Sequence, residues 1–194
     1  MSKYNLWTTT VEVLDNFIED QDLICRLKAE AVIGDTVQGQ NKQGLTDAQQ
    51  QMLSIVTSAI INYCVDCNVD YNSLKFANLQ KGCLKKYDHT MVSNHLYEPH
   101  HDIAEGSFIT ALYYVDSDWS NSMWVGGELT LYKHMTFVDY PENIINILPK
   151  QNRLIIFPGF ITHRVKPYFG DTPRTSLVFG WSVEHPVFRE ALVI

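Results

Sequence analysis

The residues with the clearest chemical potential are His100 and Asp102, in Pro99-His100-His101-Asp102, and a distant His163 in Phe157-Pro158-Gly159-Phe160-Ile161-Thr162-His163-Arg164-Val165. In an extended chain, side chains alternate faces. His100 and Asp102 can therefore share one cavity while His101 points elsewhere. If a sheet closes so that His163 faces the same cavity, two imidazoles and one carboxylate meet on one face of a metal ion. That donor set leaves positions open for substrates and suits Fe(II). Zinc prefers closed four-coordinate sites in structural roles, although the Irving–Williams order lets Ni(II), Co(II) or Zn(II) displace iron as surrogates. An H-x-D pair alone is a weak signal, and seven histidines make accidental pairs common. His89, His95, His101, His134 and His185 have no partner pattern and read as surface or structural residues.

Arg174 strengthens the case. It opens the run Arg174 to Trp181, in which alternation puts Arg174, Ser176, Val178 and Gly180 on one face and Thr175, Leu177, Phe179 and Trp181 on the other. An Arg on the inner face of a β core is costly unless an anion meets it. Its planar fork matches a carboxylate in bidentate fashion.

These residues need a scaffold, and the chain can build one. Its 194 residues are 45% hydrophobic and 19% charged, a globular balance. A chain of this length buries roughly 70% of its unfolded surface, so no disulfide or metal staple is required for folding. No apolar run approaches the roughly 18 residues of a membrane span. The N-terminus lacks a secretory signal, so a cytoplasmic location is expected. The net charge of −7 and the absence of a Lys/Arg cluster argue against nucleic acid. Of the cysteines at 25, 64, 67 and 83, the Cys64/Cys67 pair has redox-motif spacing but lies at the end of an apolar helical stretch. The cysteines are therefore read as reduced and structural.

Asp20 to Ile33 reads as a helix, with Leu23, Ile24, Leu27 and Ala31 on one face and Gly34 as its stop. Residues 34–45 read as a loop. A second helix starts at Thr46, with Gln49 completing a capping box and a stripe of Met52, Leu53, Val56, Ala59, Ile60 and Tyr63. Beyond Asp70 the period changes. Short strand patterns occupy Leu74–Leu84, Phe108–Val115, Glu128–Tyr132, Leu154–Phe157 and Thr175–Trp181, with no helix alternating between them. This predicts a mostly β fold with N-terminal supporting helices, closed or double-sheeted like a jelly roll. One domain is expected over 1–194, with about 1–73 as helical support and about 74–185 as the β core.

At this level of detail the sequence resembles the Fe(II)/2-oxoglutarate-dependent dioxygenases, in their prolyl 4-hydroxylase-like branch, over roughly Leu84 to Val183. The carriers are Tyr87, the His100/Asp102 pair, Thr110-Ala111-Leu112-Tyr113-Tyr114-Val115-Asp116, Trp119 and Gly126-Gly127-Glu128-Leu129. They continue with Asn152-Arg153-Leu154-Ile155-Ile156-Phe157-Pro158, His163-Arg164-Val165 and Arg174-Thr175-Ser176-Leu177. The resemblance implies a cupin-like double-stranded β-helix. It makes His100, Asp102 and His163 the catalytic iron ligands, with 2-oxoglutarate and dioxygen as co-substrates and ascorbate as a stimulant. Arg174 and Tyr114 would hold the distal carboxylate of 2-oxoglutarate. Tyr87 would line its pocket, and Ser176 is a further candidate for it. Tyr113 reads as core packing, and Gly126-Gly127 as a bend.

By that resemblance the leading substrate is a peptidyl proline. Segments 34–45 and 88–99 would close over the peptide, with Tyr97 and Trp119 near the mouth and Trp124 on the same connection. Segment 88–99 differs in length from that of the hypoxia-sensing prolyl hydroxylases and lacks their glycines. The alternatives are hydroxylation of another protein side chain or of a free amino acid, and a non-catalytic β-helix binding module. A nucleic-acid demethylase fits less well, because that branch carries a second Arg after its co-substrate Arg and here Thr175-Ser176-Leu177 follows. A free amino acid would need a second buried cation, for which Arg153 and Arg164 are on offer. The sequence is silent on oligomeric state.

Overall fold

The computed structural model describes residues 2–6, 9–30, 45–76, 83–87, 98–102, 108–116, 125–133, 144–166, 168–169 and 174–182. Of these, 2–6, 9–10, 76, 83–87, 125, 168–169 and 174 are described by their backbone alone. Segments 34–44 and 88–97, with Tyr97, Trp119 and Trp124, lie outside the described residues.

The chain opens with strands β1 (Ser2–Leu6) and β2 (Thr9–Asp15), then helices α1 (Gln21–Ala29) and α2 (Asp47–Asp66). The Asp20 carboxylate accepts from the Leu23 amide at 3.1 Å and starts α1. Thr46 and Gln49 form the predicted capping box of α2. The two opening strands correct the expectation of helical support throughout 1–73. Thr9-Thr10-Val11-Glu12-Val13 is β-branched at alternate positions, and Val11 and Val13 are buried in the β core.

The remaining strands are β3 (Lys75–Phe76), β4 (Cys83–Tyr87), β5 (Ile109–Asp116), β6 (Val125–Gly126), β7 (Leu129–Tyr132), β8 (Ile144–Ile147), β9 (Arg153–Pro158), β10 (His163–Val165), β11 (Tyr168–Phe169) and β12 (Arg174–Ser182). The major sheet runs β1-β2-β9-β5-β12-β3, with β4 also paired to β12. The minor sheet runs β10-β7-β8, and β6 pairs with β11. All ladders are antiparallel.

Period-two alternation divides the core into two layers. From the major sheet, Ile109, Ala111, Tyr113, Leu154, Ile156, Leu177, Phe179 and Trp181 face α1 and α2, where Leu23, Leu27, Met52, Val56 and Ile60 meet them. The intervening residues Leu112, Tyr114, Ile155, Phe157 and Val178 face Leu129, Leu131 and Ile147 of the minor sheet. Full burial of each large apolar side chain is worth roughly 1.5–3 kcal/mol, so the helices brace one face of the sheet and free the other for a cavity. The β5–β12 ladder slips between Thr175 and Ser176: Thr175 pairs with Asp116 and Ser176 with Tyr114. Val115 is thus the extra residue of a bulge.

Asn152 ties the link between β2 and α1 to the major sheet. It turns the chain into β9 with φ 57°. Its amide clamps both backbone groups of Ile18, accepting from the N–H at 2.8 Å and donating to the carbonyl at 2.7 Å. The Tyr113 hydroxyl donates to the same Asn152 oxygen at 3.1 Å, and burial pushes that phenol's pKa up. Asn152→Ala should lower unfolding stability by about 2 kcal/mol or more, since each buried backbone group left unpaired costs about 1–3 kcal/mol. Urea unfolding of the variant against the parent measures this.

Cys25, Cys64 and Cys67 form no disulfide. Burial, then the neighbouring Cys67, pushes the Cys64 thiol up to about 11, which makes it a poor nucleophile at neutral pH. Among the described residues, no helix is long and apolar enough to cross a membrane.

Candidate metal centre

The segment 98–102 crosses the end of the minor sheet. A single antiparallel bridge couples His100 to His163 at the start of β10, each amide donating to the other's carbonyl at 2.8 Å. The Asp102 amide donates to the Gly159 carbonyl at 2.8 Å, and the Gly159 amide to the Phe108 carbonyl at 2.7 Å. The turn from β9 to β10 thus holds the H-x-D segment on one side and the start of β5 on the other.

The side chains converge. One ligand atom each from His100, Asp102 and His163 lies within 4.8 Å of the others. His163 Nε2 is 3.7 Å from Asp102 Oδ2. The imidazole centroids are 4.4 Å apart. Asp102 and His163 are only 4% and 6% exposed, while His100 is half-buried and His101 exposed.

Both rings are oriented by the same device. His100 Nδ1 sits 2.8 Å from the Glu98 carbonyl and His163 Nδ1 2.9 Å from the Ile161 carbonyl. A carbonyl only accepts, so each Nδ1 carries a ring proton and Nε2 is left as the ring atom available to a metal. Phe157 meets the His163 ring edge-on, with centroids 4.9 Å apart. The Thr110 hydroxyl donates to Asp102 Oδ2 at 2.5 Å. Two imidazoles and a carboxylate, turned to one point, are a donor set that fits Fe(II).

Two of the other expected site residues, Tyr114 and Ser176, are neighbours further along the major sheet. Tyr114 is fully buried and pairs across the sheet with Ser176 on one side and Arg153 on the other. Ser176 is also fully buried, and among the described residues its hydroxyl has no hydrogen-bond partner. Arg174 and Tyr87 are cross-strand partners at the ends of β12 and β4; their side chains lie outside the described residues. Of the two remaining candidate cations, Arg153 is taken by Asp15, with bonds of 2.6 and 3.0 Å from Nε and Nη2. Arg164 alternates away from the buried His163 and Val165.

Residues 85–182, half of the chain, match the sequence profile of the 2OG-Fe(II) oxygenase superfamily. The chain belongs to that superfamily. It is therefore a 2-oxoglutarate-dependent dioxygenase, and membership implies Fe(II), 2-oxoglutarate and dioxygen, which the His-Asp-His cluster fits. No curated protein matches the sequence.

Solved structures agree on the fold. A prolyl-4-hydroxylase from Pseudomonas putida superposes with TM-score 0.62 at 20% identity, over 90% of this chain and 88% of that one. The viral collagen prolyl hydroxylase of Paramecium bursaria Chlorella virus-1, in complex with 2-oxoglutarate, gives TM-score 0.60 at 14% identity, over 90% and 96%. A prolyl hydroxylase from Trichoplax adhaerens, bound to a peptide fragment of the hypoxia inducible factor oxygen degradation domain, gives 0.52 at 18%, over 94% and 86%. The expected double-stranded β-helix is thus the fold of this oxygenase.

Sequence reasoning assigns no role to Thr110 and leaves Arg153 open as a substrate cation. A hydroxyl on the inner face of a strand that carries Tyr114 was the available signal for the first. The second depends on a partner 138 positions away, beyond any local pattern.

Proposed function

We propose that this oxygenase hydroxylates a peptidyl proline, with His100 and His163 binding Fe(II) through Nε2 and Asp102 through its carboxylate. When bound, Fe(II) with 2-oxoglutarate and dioxygen supplies oxidative decarboxylation of the co-substrate and hydroxylation of an unactivated C–H bond. The chain's residues bind, orient and exclude water. Arg174 pairs with the distal carboxylate of 2-oxoglutarate, assisted by Tyr114 and by the Ser176 hydroxyl, which has no partner among the described residues. Tyr87 lines the same pocket, and Leu112, Ile155 and Val178 provide its apolar wall. Ascorbate would act as a stimulant of turnover.

The prolyl hydroxylases among the structural neighbours support proline, and the Trichoplax complex with its peptide fragment supports a peptide substrate. One observation favours a peptide over a free amino acid. The carboxylate of a free amino acid needs a cation, and the Arg153 guanidinium is already forked onto Asp15. Arg153 holds the Asp15 carboxyl down at about 2, against desolvation and with help from Lys150, so the pair stays ionised across the working pH range. A peptide needs only an apolar slot and backbone hydrogen bonds.

The test incubates purified protein with Fe(II), ascorbate, 2-oxoglutarate and either a proline-containing peptide library or free L-proline at equal concentration. Succinate should form in step with the gain of one oxygen atom on peptides. Coupled turnover of the free amino acid, with no peptide hydroxylated, would sink the proposal.

A further inference from the structure

One inner-face row of the major sheet lies beneath the candidate metal ligands. Thr110 of β5 is flanked in register by Gly180 of β12 and Phe157 of β9. Phe157 meets the His163 ring, Thr110 meets Asp102, and Gly180 carries no side chain to compete for the space beside them. Thr110 is 1% exposed, and as a β-branched residue it is stiff at χ1. Its hydroxyl direction is therefore set by packing before any metal arrives. The 2.5 Å separation from Oδ2 falls in the short class of hydrogen bonds from a hydroxyl to a carboxylate.

We propose that Thr110 is a positioning residue for the metal, acting through Asp102; this rests on the ligand assignment above. The Asp102 main chain is pinned by its amide bond to Gly159, but that bond does not decide the plane of the carboxylate. The Thr110 hydroxyl holds one of its oxygens. A carboxylate with an oxygen already held has less ordering left to be done when the ion binds. Outer-shell partners of metal ligands typically govern affinity in this way.

Two substitutions separate the hydroxyl from the packing. Thr110→Val keeps the branched shape and removes the donor. Thr110→Ser keeps the donor and removes the methyl group. Metal-free protein is titrated with Co(II) against a chromophoric chelator, and thermal unfolding is recorded without metal. Thr110→Val should weaken Co(II) binding about 10–100-fold, while Thr110→Ser stays close to the parent. Parental affinity in the valine variant, or an equal loss in the serine variant, overturns the proposal. If valine prevents folding, Thr110→Ala takes its place in the same comparison, with the same outcomes. Asp102→Ala is titrated alongside. Its retention of full affinity would overturn the ligand assignment itself, whereas its loss of binding beside an unaffected valine variant would reject the role of Thr110 alone.

Discussion

His163→Ala should lose stoichiometric metal binding and, with it, succinate formation. The His163 imidazole is one of three side-chain donors that the described residues bring to the cluster, and its removal leaves two of them. Loss of an outer-shell partner costs about 10–100-fold in metal affinity; loss of a ligand should cost more than that. The substitution also empties a nearly buried site, frees the Ile161 carbonyl from its ring partner and deprives Phe157 of its edge contact. Some loss of stability is therefore expected, but the backbone bridge between His100 and residue 163 is kept, because alanine retains the amide and carbonyl that form it. Metal content after reconstitution, measured on protein shown to be folded by circular dichroism, checks the prediction. Retained one-to-one binding would mean that the ligands lie elsewhere. Exchange with Ni(II), Co(II) or Zn(II) should be lost in parallel, since all compete for the same donors.

The cluster was legible in the sequence for a simple reason. An extended H-x-D segment puts its first and third side chains on one face whatever the rest of the fold does, and the family motifs supplied the distant histidine. The long α2 was equally clear, because a capping box and several turns of apolar periodicity agree with one another. Short elements were not. Strand β10 has three residues, and its pairing with β7 and its bridge to His100 are fixed by tertiary contacts. Strand β2 carries a β pattern in Thr9–Val13, but the helical signals that follow it dominate the first third of the chain. The bulge at Val115 could not be read either, since a register shift is a property of two strands and not of one. Polar partnerships were the least visible. Asp15 with Arg153, Asn152 with Ile18 and Thr110 with Asp102 each join residues that meet only once the sheets have formed.

Arg174→Ala should raise the 2-oxoglutarate requirement about a hundredfold or more while leaving metal affinity nearly unchanged. Strand β12 begins at Arg174 and pairs in regular register with β4 from Arg174 to Val178. The period of two that brings Val178 to the inner face assigns Arg174 to the same row by sequence. Next in that row is Ser176, buried and with its hydroxyl unpartnered among the described residues, and across from it stands the buried Tyr114. A polar group buried without a partner costs free energy, and the proposed co-substrate carboxylate would supply one to Ser176. Deleting one partner of a buried charge pair costs about 3–5 kcal/mol, which is two to three decades or more of affinity on the scale of about 1.4 kcal/mol per decade. Arg174→Lys should fall between, because a point charge replaces a planar fork. Ser176→Ala should cost less than Arg174→Ala, since it removes a neutral hydrogen bond and spares the ion pair. The measurement is uncoupled 2-oxoglutarate turnover against co-substrate concentration, with Co(II) affinity as the control. An alanine variant with unchanged co-substrate affinity would place the carboxylate anchor elsewhere, with the half-buried Lys166 just beyond β10 as the next residue to substitute.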